Sequence, residues 1–379
     1  MTVKRGANKT KGRVTLKDVA RELGVAASTV SNAYNRPDQL SPALRDSVLQ
    51  TAERLGYLGP DPTARSLRRG VTNTIGLVYP SPLSYTFTDP IAGLFVQGIA
   101  LEVERQGYTL LLVGGEVDDD VSAQRSTKPT LATATTVQVD GFIVHCFASD
   151  DPVLEATLTR GLPIVMVDHH IDQHGNEAFS SVKIEDELGA KQAANHVLEH
   201  GHSQFGIISL EMTPKTRSGL ATLDQQAAMT YTTTKIRLEG YRRAIERAGL
   251  DWETSAAVYE TADNTPAEGE LAAASLLAQT PQPTAILAMS DQLALGALTY
   301  IKRQGLDVPA DVSVVGFDDM PGSIHASPPL TTVRQPHVDK GKHAGKLLLA
   351  QLQGDTSLAS VTLPTKLIVR GSSGPAPQS

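Results

Sequence analysis

The chain has 379 residues, 40% of them hydrophobic and 20% charged, which is enough for two or three domains with a sizeable core. A single cysteine, Cys146, excludes an intramolecular disulfide framework and fits a reducing compartment, where it reads as a small apolar strand residue. No apolar run of about 18 residues exists, and the opening MTVKRGANKTKGRV lacks the apolar stretch of a secretion signal, so a cytoplasmic protein without membrane contact is expected.

The net charge of −7 is unevenly spread: residues 1–70 hold 13 Lys and Arg against 6 Asp and Glu, the remainder 21 against 35. A small basic module on a large acidic one is the distribution of a nucleic-acid binder with a second, regulatory part. Residues 1–13 read as a basic flexible tail. From Thr15, with Asp18 three residues on, a first helix is predicted with Leu16, Val19, Ala20 and Leu23 on one face, stopped by Gly24. After a turn, Thr29 to Tyr34 form a second short helix. Val30 and Ala33 turn inward, while Ser28, Thr29, Ser31, Asn32 and Asn35 carry hydroxyls and amides able to meet phosphate oxygens and base edges. Ser41-Pro42 opens a third helix through Leu44, Val48, Ala52 and Leu55 to Gly56. Residues 14–59 thus follow a helix-turn-helix plan.

Pro60-Asp61-Pro62 marks a boundary, and Thr63 to Arg69 is too short to be a stable isolated helix in water; residues 60–71 read as a hinge. Beyond Gly70 the pattern changes. TIGLVYP, YTLLLVG, DGFIVHCF, LPIVMVD, FGIISL, TAILAMS and VSVVGFD are the near-continuous apolar runs of parallel strands covered on both faces. Helices are predicted between them over residues 91–105, 187–199, 236–248, 268–277 and 293–303, a doubly wound α/β arrangement large enough for two subdomains. Ligands of such sheets sit beyond the carboxyl ends of strands, which singles out Asp89, His145, Asp168, Ser290 and Asp318. Asp168 and Asp318 read also as turn or helix caps, and His145 equally as a core histidine; Asp291 reads as the cap of the helix it starts. The stretch EMTPKTRSGLATLDQQAAMTYTTTKI is a long connection after a strand, expected either to cover a bound ligand or to be disordered. His169, His170 and His174 read as a solvated loop. With no G-x-G-x-x-G after the first strand and no Walker A stretch, an enzyme on this fold is not expected, nor any cofactor or metal.

VTLKDVARELGVAASTVSNAYN, with GYLGPDPTARSLRRG and NTIGLVYP in the right order and spacing, resembles the lactose-repressor and galactose-repressor (LacI/GalR) family of bacterial transcription regulators. The resemblance implies an all-α helix-turn-helix domain on a periplasmic-binding-protein-like α/β core. The core spans 72–371, with an amino-terminal subdomain of about 72–183 and 335–360, a carboxyl-terminal one of about 184–334 and 361–371, and a tail at 372–379. It implies base reading by Ala27, Ser28 and Asn32, and backbone contacts by Thr15, Thr29, Ser31, Asn35 and Tyr57. Leu67 matches the leucine that wedges a base step, with Arg65, Arg68 and Arg69 on nearby phosphates. Arg237, before LEGY, matches the effector-gripping arginine, and an Asp318 carboxylate facing it across the cleft would suit vicinal hydroxyls. Asn264 falls where some members place an aromatic. Ala26 stands where the family usually has a capping serine. The expected partners are double-stranded operator DNA, a small effector such as a sugar, polyol or nucleoside, and a second copy in a homodimer. A transport binding protein is the remaining alternative.

Overall fold

The computed structural model describes residues 14–59, 70–80, 83–114, 131–148, 151–169, 179–214 and 217–378. The predictions for residues 1–13, for Arg65, Leu67, Arg68 and Arg69 of the hinge, and for His170 and His174 lie outside them. The chain divides into two units, Met1–Thr72 and Asn73–Ser379.

In the first unit, α1 (Leu16–Leu23), α2 (Ala27–Asn35) and α3 (Pro42–Leu55) enclose a core of Val19, Ala20, Val30, Ala33, Val48 and Ala52. Local chemistry sets their ends. Gly24 and Gly56 stop α1 and α3 in left-handed conformations, with φ of 66° and 78°. Both would strain any residue with a Cβ. Ser41 Oγ accepts from the Leu44 amide, and Pro42 starts α3 where no intrahelical N–H is needed.

The second unit holds β1 (Thr74–Val78), α4 (Leu83–Thr88), α5 (Pro90–Val103), β2 (Thr109–Val113), α6 (Leu131–Thr136), β3 (Gly141–His145), α7 (Pro152–Leu158), β4 (Ile164–Val167) and β5 (Ser180–Ile184). There follow α8 (Asp186–Glu199), β6 (Phe205–Ser209), β7 (Gly219–Leu220), α9 (Leu223–Ala227), α10 (Thr232–Arg247), α11 (Trp252–Ser255), β8 (Ala256–Glu260), α12 (Pro266–Leu277), β9 (Ala285–Ala288), α13 (Asp291–Arg303), β10 (Ser313–Asp318), β11 (Thr331–Arg334), α14 (His337–Leu352), β12 (Ser360–Leu363) and β13 (Lys366–Ile368).

These strands form two sheets. The first runs β12-β5-β4-β3-β1-β2, all parallel. The second runs β13-β11-β10-β9-β6-β8-β7, parallel except for its antiparallel edges β13 and β7. Each sheet is covered on both faces, which explains why its central strands are apolar throughout. The chain passes from the first sheet to the second at Glu185, returns at 335–336, and crosses again at 364–365. The last crossing lies beyond the expected residue 361, because β12 stays in register with β5 as far as Leu363↔Ile184.

Residues 372–378, read as a tail, are part of the second subdomain. Ser372 is fully buried, accepting from the Thr331 amide at 2.8 Å and donating to Val314 O at 2.6 Å. His202 Nε2 lies 3.0 Å from Gly374 O. The long connection after β6 is also ordered where it is described. Gly219–Leu220 adds an edge strand to β8, Gln226 accepts from Trp252 Nε1 at 3.1 Å, and Met212 is buried with its amide on Glu260 Oε1 at 2.9 Å. Those residues extend the sheet's outer edge at the carboxyl end of β8, where Gly219 pairs with Glu260 and Leu220 with Tyr259.

Candidate functional site

The outward face of α2 carries the polar set predicted from sequence. Val30 and Ala33 are buried, Ala27 and Ser28 exposed, and Thr29, Ser31, Asn32 and Asn35 half-buried. Ala26 is the N-cap in an extended conformation with no side-chain hydrogen bond, so the amides opening the helix lack a side-chain acceptor there. Asn35 is turned back on its own helix, donating to Ser31 O at 3.0 Å and Ser31 Oγ at 3.2 Å, and Asn32 donates to Gln39 Oε1 at 3.2 Å. Thr15 donates through its amide and hydroxyl to Asp18 Oδ2, fixing the start of α1. Tyr57 stacks edge-on against Tyr34 at 5.9 Å.

In the second unit, the carboxyl ends of strands from the two sheets face one another. Thr233, on α10 in the second subdomain, donates its hydroxyl to Asp168 O at 3.2 Å and lies 3.9 Å from Cys146 Sγ, both in the first. Cys146, Asp168 and Asp318 follow or end β3, β4 and β10 with φ of 55°, 50° and 124°, backbone conformations that non-glycine residues adopt at a cost. Cys146 is therefore a cleft residue just past the strand end and not a strand position. Burial pushes its thiol up to about 11.

One wall belongs to the first subdomain. Lys340 Nζ donates to Asp168 Oδ2 and, at 3.1 Å, to Gln335 Oε1; His145 Nε2 is 3.4 Å from the same Asp168 oxygen. Burial opposes ionisation of Asp168, but the Lys340 ammonium and His145 outweigh it and hold the carboxyl well below the usual range. His145 stacks on Phe95 at 4.8 Å and on Tyr79 at 5.3 Å. Asp89 caps α5, accepting from the Ile91 amide at 3.0 Å, and its charge also reaches Asp318.

The other wall is built by the second sheet. Arg237 donates through Nε to Asp186 Oδ1 at 2.7 Å and through Nη1 to Met289 O at 2.6 Å, with its guanidinium 3.8 Å above the Phe317 ring. Its Nη1 is 4.0 Å from Asp318 Oδ1, so Arg237 and Asp318 share this wall and do not face each other across the cleft; β10 and α10 both pack in the second subdomain. Burial drives the Asp318 carboxyl well above its ordinary value, Arg237 only partly offsetting this while Asp291 and Asp89 add to it. Gln335 donates to Asp318, and His337 donates from Nε2 to Asp318 O at 3.0 Å. Burial and Lys340 keep His337 neutral, its pKa lowered to about 3.

Ser290, expected at the ligand, is the N-cap of α13, accepting from the Leu293 amide at 3.2 Å while donating to Asn264 Oδ1. Asp291 is thereby freed from the capping role assigned to it. Its carboxylate accepts from the Met320 amide and from the Ser323 and Thr332 hydroxyls, tying α13 to β11 and the loop after β10. His169, expected in a solvated loop, is buried with Nδ1 2.9 Å from Phe147 O. Among the described residues no cluster of three or more His, Cys, Asp or Glu is placed to hold a metal ion, and no helix is long and apolar enough to cross a membrane.

Two family models match the chain: bacterial regulatory proteins of the lacI family over residues 15–59, and a periplasmic binding protein-like domain over 194–373. The HTH-type transcriptional regulator Rv3575c of Mycobacterium tuberculosis is 39% identical over 363 residues, covering 96% of this chain and 98% of the relative. The chain belongs to the LacI family. It is accordingly a DNA-binding transcriptional regulator, and the relatives it matches along its length are regulators and not enzymes. The solved Lac repressor dimer bound to operator and the anti-inducer ONPF superposes with a TM-score of 0.74 at 25% identity, over 95% of this chain and 99% of that one. The CelR–cellobiose complex superposes at 0.66 with 30% identity, over 95% and 100%.

Against that family background, sequence reasoning missed Asp186, Lys340, Gln335 and Thr233. A signal existed for Lys340. On α14 the buried positions are His337, Lys340, Gly341, Ala344, Gly345, Leu348 and Leu349, so a lysine occupies the inward stripe of an otherwise amphipathic helix.

Proposed function

We propose that this regulator is a dimeric repressor that acts in the cytoplasm on near-palindromic double-stranded operator DNA, its affinity set by a small hydroxylated effector held between the two core subdomains. Ala27, Ser28 and Asn32 read bases, Ala27 through apolar contact with a thymine methyl; Thr15, Thr29, Ser31, Asn35 and Tyr57 position the helix on the backbone. Leu67 wedges the central step, with Arg65 and Arg68 on the flanking phosphates. Asp89, His145, Asp168, Arg237, Asn264, Ser290 and Asp318 surround the effector, a sugar, polyol or nucleoside.

The observation that carries the reading is the pair of buried ionic clusters, Arg237 with Asp186 and Lys340 with Asp168, on opposite subdomains joined by Thr233. Charged groups that can each hold two hydroxyls suit such a ligand, and a ligand bridging both walls changes how the subdomains sit. The operator-bound dimer of the Lac repressor and the cellobiose complex of CelR support it by kinship. By linkage, effector and DNA alter each other's affinity by the same free energy. Operator duplexes selected from random sequence, titrated with and without sugars, polyols and nucleosides at fixed salt, test the reading. Leu67→Ala should lower specific affinity far more than non-specific affinity, and equal losses count against the wedge. Arg237→Ala should abolish the effector response while DNA binding persists; an unchanged response removes Arg237 from the site.

A further inference from the structure

We infer that the cleft admits neutral or cationic hydroxylated effectors and excludes phosphorylated or carboxylated ones. The inference rests on the hydroxylated-effector reading above and narrows it.

Among the described residues the cleft brings four carboxylates together, from Asp89, Asp168, Asp186 and Asp318, against two full cations, Arg237 and Lys340. Burial raises the Asp318 and Asp186 carboxyls alike, and even a proton on each leaves the carboxylates equal in number to the cations, so the cleft offers an anion no net positive charge. Both cations already give part of their donors to the protein. Arg237 gives Nε to Asp186 and Nη1 to Met289 O, and Lys340 gives Nζ to Asp168 and Gln335. The buried polar atoms left without a hydrogen-bond partner there include carboxylate acceptors beside the Tyr79 and Tyr241 hydroxyls. Asp168 Oδ1 and Asp186 Oδ2 are buried and unpartnered, one on each subdomain, and the Tyr79 hydroxyl beside His145 is unpartnered too. An unpartnered buried carboxylate oxygen is an acceptor that a ligand must satisfy with a hydroxyl or ammonium donor. A phosphate or carboxylate brings charge of the same sign and no donor at neutral pH, into a site where water screens little.

The test uses the full-length protein and matched probes at constant ionic strength: glucose, glucosamine and glucose 6-phosphate; ribose and ribose 5-phosphate; mannitol and mannitol 1-phosphate; adenosine and its 5′-monophosphate. Binding is read by calorimetry and by thermal shift. In any set that binds, the neutral or aminated member should bind at least tenfold more tightly than its phosphorylated partner. A phosphorylated member that binds as tightly as its parent, or more tightly, overturns the inference and leaves the hydroxylated-effector reading standing. If no probe binds in any form, that reading falls and takes the inference with it. Asp168→Asn and Asp186→Asn, checked for native circular dichroism, should each narrow the ratio, because each removes a carboxylate while keeping its shape. A ratio unchanged in both folded variants also overturns the assignment; if neither folds, the comparison within the wild-type sets decides alone.

Discussion

Thr233 and Asp168 join the two subdomains: the Thr233 hydroxyl donates to the Asp168 carbonyl at 3.2 Å, and Thr233 Oγ1 also lies 3.9 Å from Cys146 Sγ. The only thiol of the chain, half-buried, thus lies at the contact where the subdomains meet. With burial pushing it up to about 11, little thiolate exists at pH 8. Labelling of the native protein by a thiol reagent at pH 8 should be at least about tenfold slower than in urea-unfolded chain. Thr233→Ala should accelerate it without changing the unfolded rate. Native labelling as fast as unfolded labelling would show the contact to be open in solution.

Asp291 predicts a pH dependence. Burial, only partly offset by the Ser323 and Thr332 hydroxyls and the Met320 amide, raises its carboxyl from 3.8 to about 6. A carboxyl with a raised folded pKa binds its proton more tightly in the native state, so the native state loses stability as pH rises from about 4 to about 6. The shift corresponds to a loss of at most about 3 kcal/mol, complete above the folded pKa. Asp291→Asn removes the titration. Urea midpoints measured between pH 4 and 7 should therefore fall less steeply with pH, or rise more steeply, in the variant than in the wild type; parallel curves would mean that Asp291 ionises without cost.

The α5–α14 crossing is set by glycines. A Cβ on Gly98 would meet Val338 O at 2.1 Å, and one on Gly341 would meet Phe95 O at 2.2 Å, main-chain atoms that cannot swing aside. Gly98→Ala should force the helices apart and cost about 1–3 kcal/mol through lost packing. The measurement is the urea midpoint, with Gly93→Ala on the same helix as a control, since a Cβ at Gly93 meets nothing within 4 Å.

Strands that are central in their sheets were legible because burial on both faces makes them continuous apolar runs: β1, β3, β4, β6, β9 and β10 are all of this kind. Strands β5 (SSVKI) and β12 (SVTL) were not, since alternating burial along them and a polar start leave no such run. Helix starts are legible by the same local chemistry. Ser41-Pro42, Asp89-Pro90, Asp151-Pro152 and Thr265-Pro266 all place a capping side chain before a proline at the first helical position. The strand-end rule put Asp168 and Asp318 at the carboxyl ends of β4 and β10, where they lie, but the cap of the helix after β9 was read one residue late, since Ser290 and not Asp291 is its N-cap. Asp186 and Lys340 lie on helices entered at chain crossings, and only the return of the chain to the first sheet brings Lys340 to Asp168.

Ala26 makes the sharpest prediction for the DNA-binding unit. It occupies the N-cap of α2 with φ −68° and ψ 148°, an extended geometry that a serine adopts without strain, and offers no acceptor to the helix amides. Ala26→Ser should supply that acceptor and stabilise the unit by about 1 kcal/mol, the usual effect of a capping hydroxyl. Ala26 is exposed, so the change adds no clash. Amide exchange in α2 should slow about fivefold if the helix opens locally. Affinity for DNA should rise together with protection where the new hydroxyl also reaches a phosphate, and protection alone should rise where it serves only the cap. Unchanged exchange in α2 would mean that the amides at its start are already satisfied by water at no cost, and that the missing cap does not limit this helix.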